Sequence, residues 1–236
     1  MLKKGSIIDI KIDSLAYGGE GVGKFEGMAI FVPDSVPGDE LKVEIISAKK
    51  SFAKGKISEI IKPSPDRVTP ICGLAKVCGG CQWQHVDYPV QLKAKKQIVQ
   101  ENLKKIGGLD IPVLDVIPSP MIKEYRCKIQ YPIGQTKVSK RFLAGYYKQG
   151  THEIINIKHC PIQPGIIDEI TEFVRIEAKE LGLTAYNEKT HKGLIRHVVY
   201  RVSSSEKEIL LIFVINSNEA PDELNILANE VMKKFD

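Results

Sequence analysis

Through residues 1–62, apolar and polar positions alternate. Ile8, Ile10 and Ile12 share one side of Ser6–Asp13, Met28–Pro33 is a short apolar run, and Glu40–Ile46 alternates again. A period of two puts every second side chain on the same face, so each stretch predicts a half-buried β-strand, with Phe52–Ile61 as a last one. Gly18-Gly19, Gly21, Gly23 and Pro37-Gly38 punctuate the gaps. Several short strands at this spacing predict a small barrel of the OB kind. The proline-rich stretch 63–70 reads as a linker.

Past the linker the period lengthens. Asp87 can cap a helix with Pro89 in its first turn, running to Ile106 and stopped by Gly107-Gly108. Its expected apolar stripe is Leu92, Ile98, Val99, Leu103 and Ile106, with Lys93, Lys95, Lys96, Lys104 and Lys105 on the exposed remainder. A second helix starts at Pro164 and buries Ile167, Ile170, Val174, Ala178 and Leu181 before Gly182. A third runs from Pro221 through Leu224, Leu227, Val231 and Phe235. Strand-like runs lie at Tyr125–Ile133, Phe142–Tyr147, Leu194–Val202 and Ile209–Ile215. The predicted class is α+β: an N-terminal OB-like barrel, then an α/β module over 71–236.

Composition narrows the setting. The chain has 236 residues, 43% hydrophobic and 27% charged, which is ordinary for a soluble globular protein. No apolar run approaches the ~20 residues of a membrane span, and the start has no apolar stretch like that of a signal peptide, so a cytoplasmic protein is expected. In a reducing compartment its five cysteines favour a metal or cluster over disulfides. Charge is uneven. Residues 1–66 balance, residues 67–160 hold 15 basic and 6 acidic side chains, and residues 161–236 hold 9 and 13. The basic middle is where an anionic partner would dock.

Cys72, Cys78 and Cys81 form a C-x5-C-x2-C run, and Cys160 follows after 78 intervening residues. Three thiols in one loop and a fourth from afar can converge on a tetrahedral zinc or a cubane iron–sulfur cluster. Such a centre would also tie two distant parts of the chain together. Gly79 and Gly80 let the backbone turn tightly there, and His85 and His159 flank the motif as possible replacements for a thiolate in a zinc site. Cys127, inside the predicted strand from Tyr125, reads as a packed core residue beside Ile129 and Tyr131.

Other polar residues suggest contacts. Gly18–Lys24 fits G-x-x-x-x-G-K, but Phe25 stands where magnesium binding needs Ser or Thr, and a strand follows where a phosphate loop must open a helix. A glycine-rich barrel loop with Lys24 near an RNA backbone is the better reading. Arg126, Lys128 and Gln130 would share one strand face; Arg196, His197 and Arg201 form a second candidate set. His152 and His191 read as ordinary surface or core histidines.

The run LAYGGEGVGKFEGMAIFVPDSVPGDELKVEI resembles a TRAM domain, a small RNA-binding barrel. CGLAKVCGGCQWQHVDYPVQLKAKKQIVQENLKKIGG, YRCKIQYPIG, HCPIQP and GLIRHVVYR resemble the iron–sulfur RNA (uracil-C5)-methyltransferases, most nearly those acting on 23S rRNA. The resemblance implies a TRAM barrel over 1–62 and a cluster-bearing central domain over 71–236. It further implies a [4Fe-4S] cluster on Cys72, Cys78, Cys81 and Cys160, and a central domain that presents a flipped-out uridine; Lys24, Arg126, Lys128, Gln130, Arg196 and His197, read above from the residues themselves, are the candidate RNA contacts. Family members continue into a domain that binds S-adenosylmethionine and carries the thiolate that adds to C6 of uracil. Nothing after Ile215 matches it, so the chain alone is expected to be inactive, with a structural cluster, no membrane partner and a monomeric state. The rivals are a stand-alone RNA-binding protein, part of a tRNA uracil-C5-methyltransferase, and a zinc-binding nucleic-acid module. A radical enzyme fits less well, because its three-cysteine loop is spaced C-x3-C-x2-C and leaves one iron open.

Overall fold

The computed structural model describes residues 2–203 and 208–235. It divides into two compact units, one of residues 1–76 and 81–119, the other of residues 77–80 and 120–236.

The first unit is built on five strands: β1 (Ile7–Leu15), β2 (Gly21–Phe25), β3 (Met28–Val32), β4 (Glu40–Ala48) and β5 (Phe52–Lys62). They close into a barrel in the order β1-β2-β3-β5-β4, antiparallel except for the parallel β3–β5 pair. The alternation read from sequence is its core: Ile8, Ile10, Ile12, Ile30, Val32, Leu41, Val43, Ile45 and Ala53 all point inward. The segment Gly21–Phe25, taken from sequence as part of a glycine-rich loop, is the strand β2. Its glycines allow close approach, since a Cβ on Gly23 would stand 2.2 Å from the Lys11 carbonyl.

Helix α1 (Tyr88–Lys105) completes this unit. Asp87 caps it by accepting a 3.0 Å bond from the Tyr88 amide, and Gly108 leaves it at φ +66°. Its start packs on the barrel, with Val90, Ala94 and the preceding Val86 against Leu15 and Val36, while Leu92, Ile98 and Leu103 are half-buried. The predicted apolar stripe is therefore corrected: Val99 and Ile106 are exposed, the latter at 83%. The stretch read as a linker is pinned in place. Asp39, fully buried, accepts from the amides of Val36 (2.7 Å) and Ser64 (2.8 Å) and pairs with Arg67.

The second unit holds an antiparallel sheet of β6 (Lys128–Gln135), β7 (Phe142–Ala144), β8 (Ile195–Val202) and β9 (Ile209–Ile215), ordered β7-β6-β8-β9. Helices α2 (Gly165–Glu180) and α3 (Asp222–Phe235) accompany it. Ile129, Tyr131, Val198 and Tyr200 lie on one face and are buried with Ile167, Ile170 and Val174 of α2. The other face carries Lys128 beside Arg201 and Gln130 beside Val199, with Leu210, Ile212 and Val214 of β9 exposed along its margin. Arg175 is buried in α2 and donates to Asn156 Oδ1 (2.7 Å) and the Ile157 carbonyl (2.8 Å), so an arginine fixes the segment after β7. A void of about 10 Å³ between α2 and the sheet has room for no more than one water.

Candidate functional site

The four cysteines divide two and two. Cys78 and Cys160 belong to the second unit, Cys72 and Cys81 to the first. In the second unit, Val77–Gly80 runs antiparallel to the turn after β7. Gly79 N–H donates to the Tyr147 carbonyl (2.9 Å), Gln149 N–H donates to that of Val77 (3.1 Å), and the Gly80 amide points at Cys78 Sγ (3.4 Å). Both glycines sit tightly, because a Cβ on Gly79 would stand 3.0 Å from the Tyr147 carbonyl and one on Gly80 3.0 Å from the Tyr146 ring, so a side chain at either would need its neighbour to give by a few tenths of an ångström.

Cys160 is buried just ahead of α2, and its loop is held by one carboxylate. Asp168 Oδ2 accepts from the Cys160 amide (3.2 Å) and faces His159 Nδ1 (3.0 Å), while Oδ1 accepts from Gln163 Nε2 (2.7 Å). Gln163 in turn accepts from the Tyr131 hydroxyl at 2.8 Å. Tyr131 meets Tyr146 edge-on, 5.0 Å between centroids. Burial pushes the Tyr146 phenol up, and Cys78 and Cys160 both lie close enough to add to that shift. Tyr146 thus stands by both thiols.

In the first unit, the Cys72 amide donates to Gln84 Oε1 (3.1 Å) and Cys72 Sγ accepts from the Leu74 amide (3.4 Å). Beyond Cys81, Trp83 Nε1 donates to the Gly19 carbonyl (3.1 Å), and Gly19, at φ +99°, packs its backbone where a Cβ would be 2.7 Å from Gln82 Cβ. The glycine-rich turn is therefore a seat for the segment after the cysteines. His85 lies 3.4 Å from the Ser35 carbonyl, and burial lowers its pKa. His85 and His159 thus already have partners of their own. Thiols with backbone amides aimed at sulfur suit a soft metal centre. Among the described residues, however, no group of three or more His, Cys, Asp or Glu is gathered as a metal site.

The candidate RNA residues separate on inspection. Lys24 is exposed on the barrel, within a strip that sequence reading missed. Outward positions of β2, β3 and β5 set Lys24 beside Ala29 and Phe52, and Val22 beside Phe31 and Lys54. Phe31 and Phe52 meet edge-on at 5.7 Å, and Lys49 lies over the Phe52 ring. The signal was available, since Phe31 sits between the inward Ile30 and Val32.

Arg126 is not on an exposed strand face. Strand β6 begins at Lys128; Arg126 is half-buried and donates to the Tyr146 hydroxyl (2.8 Å) and the Gly80 carbonyl (3.3 Å), bracing the cysteine loop. For the same reason Cys127 is exposed, not a core residue. Lys128 and Gln130 are exposed as expected. Arg196 is exposed at the bulge that opens β8, with its guanidinium over the Tyr186 ring, while His197 is half-buried and its pKa is lowered by burial.

A closed five-stranded barrel with a basic aromatic outer strip is joined in sequence to an α/β unit, and both units bear cysteine loops. Residues 2–58 match the family model of the TRAM domain. An uncharacterized RNA methyltransferase of Nostoc sp. is 37% identical over 92% of this chain and 47% of its own length. One of Bacillus cereus is 39% identical over 99% of this chain and 51% of its own. The chain spans about half the length of the curated relatives it matches. Among solved structures, the Pyrococcus abyssi tRNA (uracil-54, C5)-methyltransferase in complex with S-adenosyl-L-homocysteine is similar, with a TM-score of 0.64 and 28% identity over 92% of this chain and 48% of that one. No helix among the described residues is long and apolar enough to cross a membrane.

Proposed function

We propose that this chain is the RNA-docking part of an S-adenosylmethionine-dependent methyltransferase acting on C5 of a uracil in RNA. The observation that carries the reading is similarity to RNA methyltransferases over nearly the whole chain, together with a structural neighbour named for uracil C5 chemistry. S-adenosylmethionine supplies the methyl group when bound, and no residue of this chain is assigned to hold it. The chain's own share is positional. The barrel strip around Lys24, Phe31 and Phe52 grips a strand by stacking and phosphate contacts, and the basic segment adds counterion-releasing charge.

The sequence resemblance favours 23S rRNA as the target, and the solved neighbour favours tRNA. Deleting the gene and measuring 5-methyluridine in each RNA by mass spectrometry decides. Loss from 23S rRNA is expected, loss from tRNA alone moves the target, and loss from neither refutes the methyltransferase reading.

Cys72, Cys78, Cys81 and Cys160 are proposed to hold a [4Fe-4S] cluster. The amide-to-sulfur contacts at Cys72 and Cys78 support it, because such donors stabilise thiolates. Its role would be to fasten the cysteine loop to Cys160. Anaerobic purification should give iron and sulfide in equal amounts, and Cys160→Ser should lose both. Stoichiometric zinc without sulfide would refute the cluster, and undiminished iron in the variant would refute the ligand set.

A further inference from the structure

Two short stacks of planar side chains share one surface of the second unit. In one, the His152 ring lies on the Tyr147 ring, 5.2 Å between centroids and 22° apart in plane. In the other, the Arg196 guanidinium lies 4.6 Å over the Tyr186 ring. One loop links them. Glu188, two residues past Tyr186, accepts from His152 Nδ1 (2.9 Å) and from the Tyr147 hydroxyl (3.5 Å). Arg196 is near enough for its charge to act on the Tyr147 phenol.

The loop is shaped without any ligand. Asn187 Oδ1 accepts from the Lys189 (2.9 Å) and Thr190 (3.2 Å) amides, and the Asn187 amide donates to the Lys192 carbonyl (2.8 Å). The Tyr186 hydroxyl meets His191 Nδ1 at 2.9 Å. Gly193, at φ +100°, closes the loop so tightly that a Cβ would stand 2.1 Å from the Ala185 carbonyl. Each stack ends in an exposed planar group with polar edges: the His152 side chain is 76% exposed, and Arg196 is exposed. Lys148, Lys189 and Lys192, next in sequence to Tyr147, Glu188 and Gly193, are exposed, and Lys148 pairs with Glu153 (3.8 Å). The one carboxylate linking the stacks, Glu188, is already hydrogen-bonded.

Planar groups stacked on aromatic rings, with exposed lysines along the same loops, match a base-bearing polyanion better than an apolar or purely anionic ligand. Guanidinium and imidazole planes stack on unpaired bases, and lysines take the phosphates between them. We infer that His152 and Arg196 form a two-position stacking platform for neighbouring unpaired bases of single-stranded RNA, with Lys189 and Lys192 on the backbone. This rests on the RNA-docking reading and adds a second contact region beyond the barrel.

The test titrates the chain into a short single-stranded RNA with 2-aminopurine at successive positions, following anisotropy and base fluorescence. Stacking should quench the probe. Arg196→Lys keeps the charge but removes the plane, and should weaken binding about tenfold, abolish the quench at one position and leave the salt slope unchanged. His152→Ala should do the same at the neighbouring position. Thermal melts equal to the parent's show that both variants are folded. If the parent binds no RNA, the docking reading fails and the platform with it. If the parent binds but Arg196→Lys binds equally well and quenches equally, the platform alone is overturned, and the patch is a charged surface that any polyanion, an acidic peptide included, would satisfy.

Discussion

The barrel and the sheet unit keep their shapes by different means. In the barrel, nine aliphatic side chains from β1, β3, β4 and β5 make the core, and buried polar groups gather at one turn, where Asp39 fastens the β3–β4 turn to the stretch after β5. In the sheet unit the strands are equally apolar inside, but the functional loops hang on polar side chains: Arg175 on Asn156 and Ile157, and Asp168 with Gln163 and Tyr131 around Cys160. No buried side-chain nitrogen or oxygen among the described residues lacks a partner. A repeating pattern can build a barrel, whereas a loop that presents a thiol needs individual hydrogen bonds, each resting on one residue.

The largest expected effect breaks this contrast at its exception. Asp39→Ala would leave Arg67 without its buried partner and two amides without an acceptor, at a cost of about 3–5 kcal/mol. Hydrogen exchange should show the loss in β1–β5 before the sheet β6–β9. The same pair makes stability depend on pH. Burial alone would raise the Asp39 pKa, but the Arg67 hydrogen bond and the two amides outweigh it and hold the carboxyl below its usual range. A depressed folded value means that the stabilisation is complete above the unfolded carboxylate pKa of about 4 and is lost as pH falls through the folded one. Denaturant midpoints should therefore fall below about pH 4 in the parent, and Asp39→Asn should flatten that part of the profile. An unchanged profile would show that the pair does not hold the barrel.

Arg175→Met is the counterpart in the sheet unit. It keeps the apolar stem but strands the Ile157 carbonyl and leaves Asn156 Oδ1 with the Ala144 amide as its remaining donor, which should cost about 2 kcal/mol. Protection should fall in residues 153–158 and at the start of α2, with the barrel unaffected. A uniform loss across both units would mean that the two do not respond separately, and the contrast would fail.

The same contrast explains what the sequence could show. Alternation placed β1 and β4, because a closed barrel with one apolar face imposes a period of two, and β3 showed as a short apolar run with β5 as the last strand after it. The three helices were visible through their periodicity and their proline and glycine ends. Two readings failed where alternation was carried too far. Extending β6 back to Tyr125 put Arg126 on an open face and Cys127 in the core, yet β6 starts at Lys128 and Arg126 braces the Gly80 carbonyl. The α1 stripe failed at Val99 and Ile106, since it is the start of the helix that packs on the barrel. Contacts such as Trp83 to Gly19 or Glu188 to His152 join residues that no local period connects, so the loops had to be seen folded.

The smallest expected effect sharpens the comparison on the binding side. The barrel strip mixes aromatic faces and lysines as the sheet unit's platform does, but its rings are hydrocarbon and its charges sit on flexible stems. Phe52→Ala should lower affinity for single-stranded RNA about fivefold by removing one stacking surface, with the salt slope unchanged. Lys54→Gln should instead lower the slope of log affinity against log salt by about 0.7, the value for one phosphate contact on a single strand, and weaken binding only slightly at high salt. Phe52→Ala also removes the edge-on contact with Phe31, so the barrel should lose about 1 kcal/mol, small enough to keep it folded for the measurement. If both variants change the slope and neither changes affinity at high salt, the barrel contributes charge alone and stacking belongs to the sheet unit.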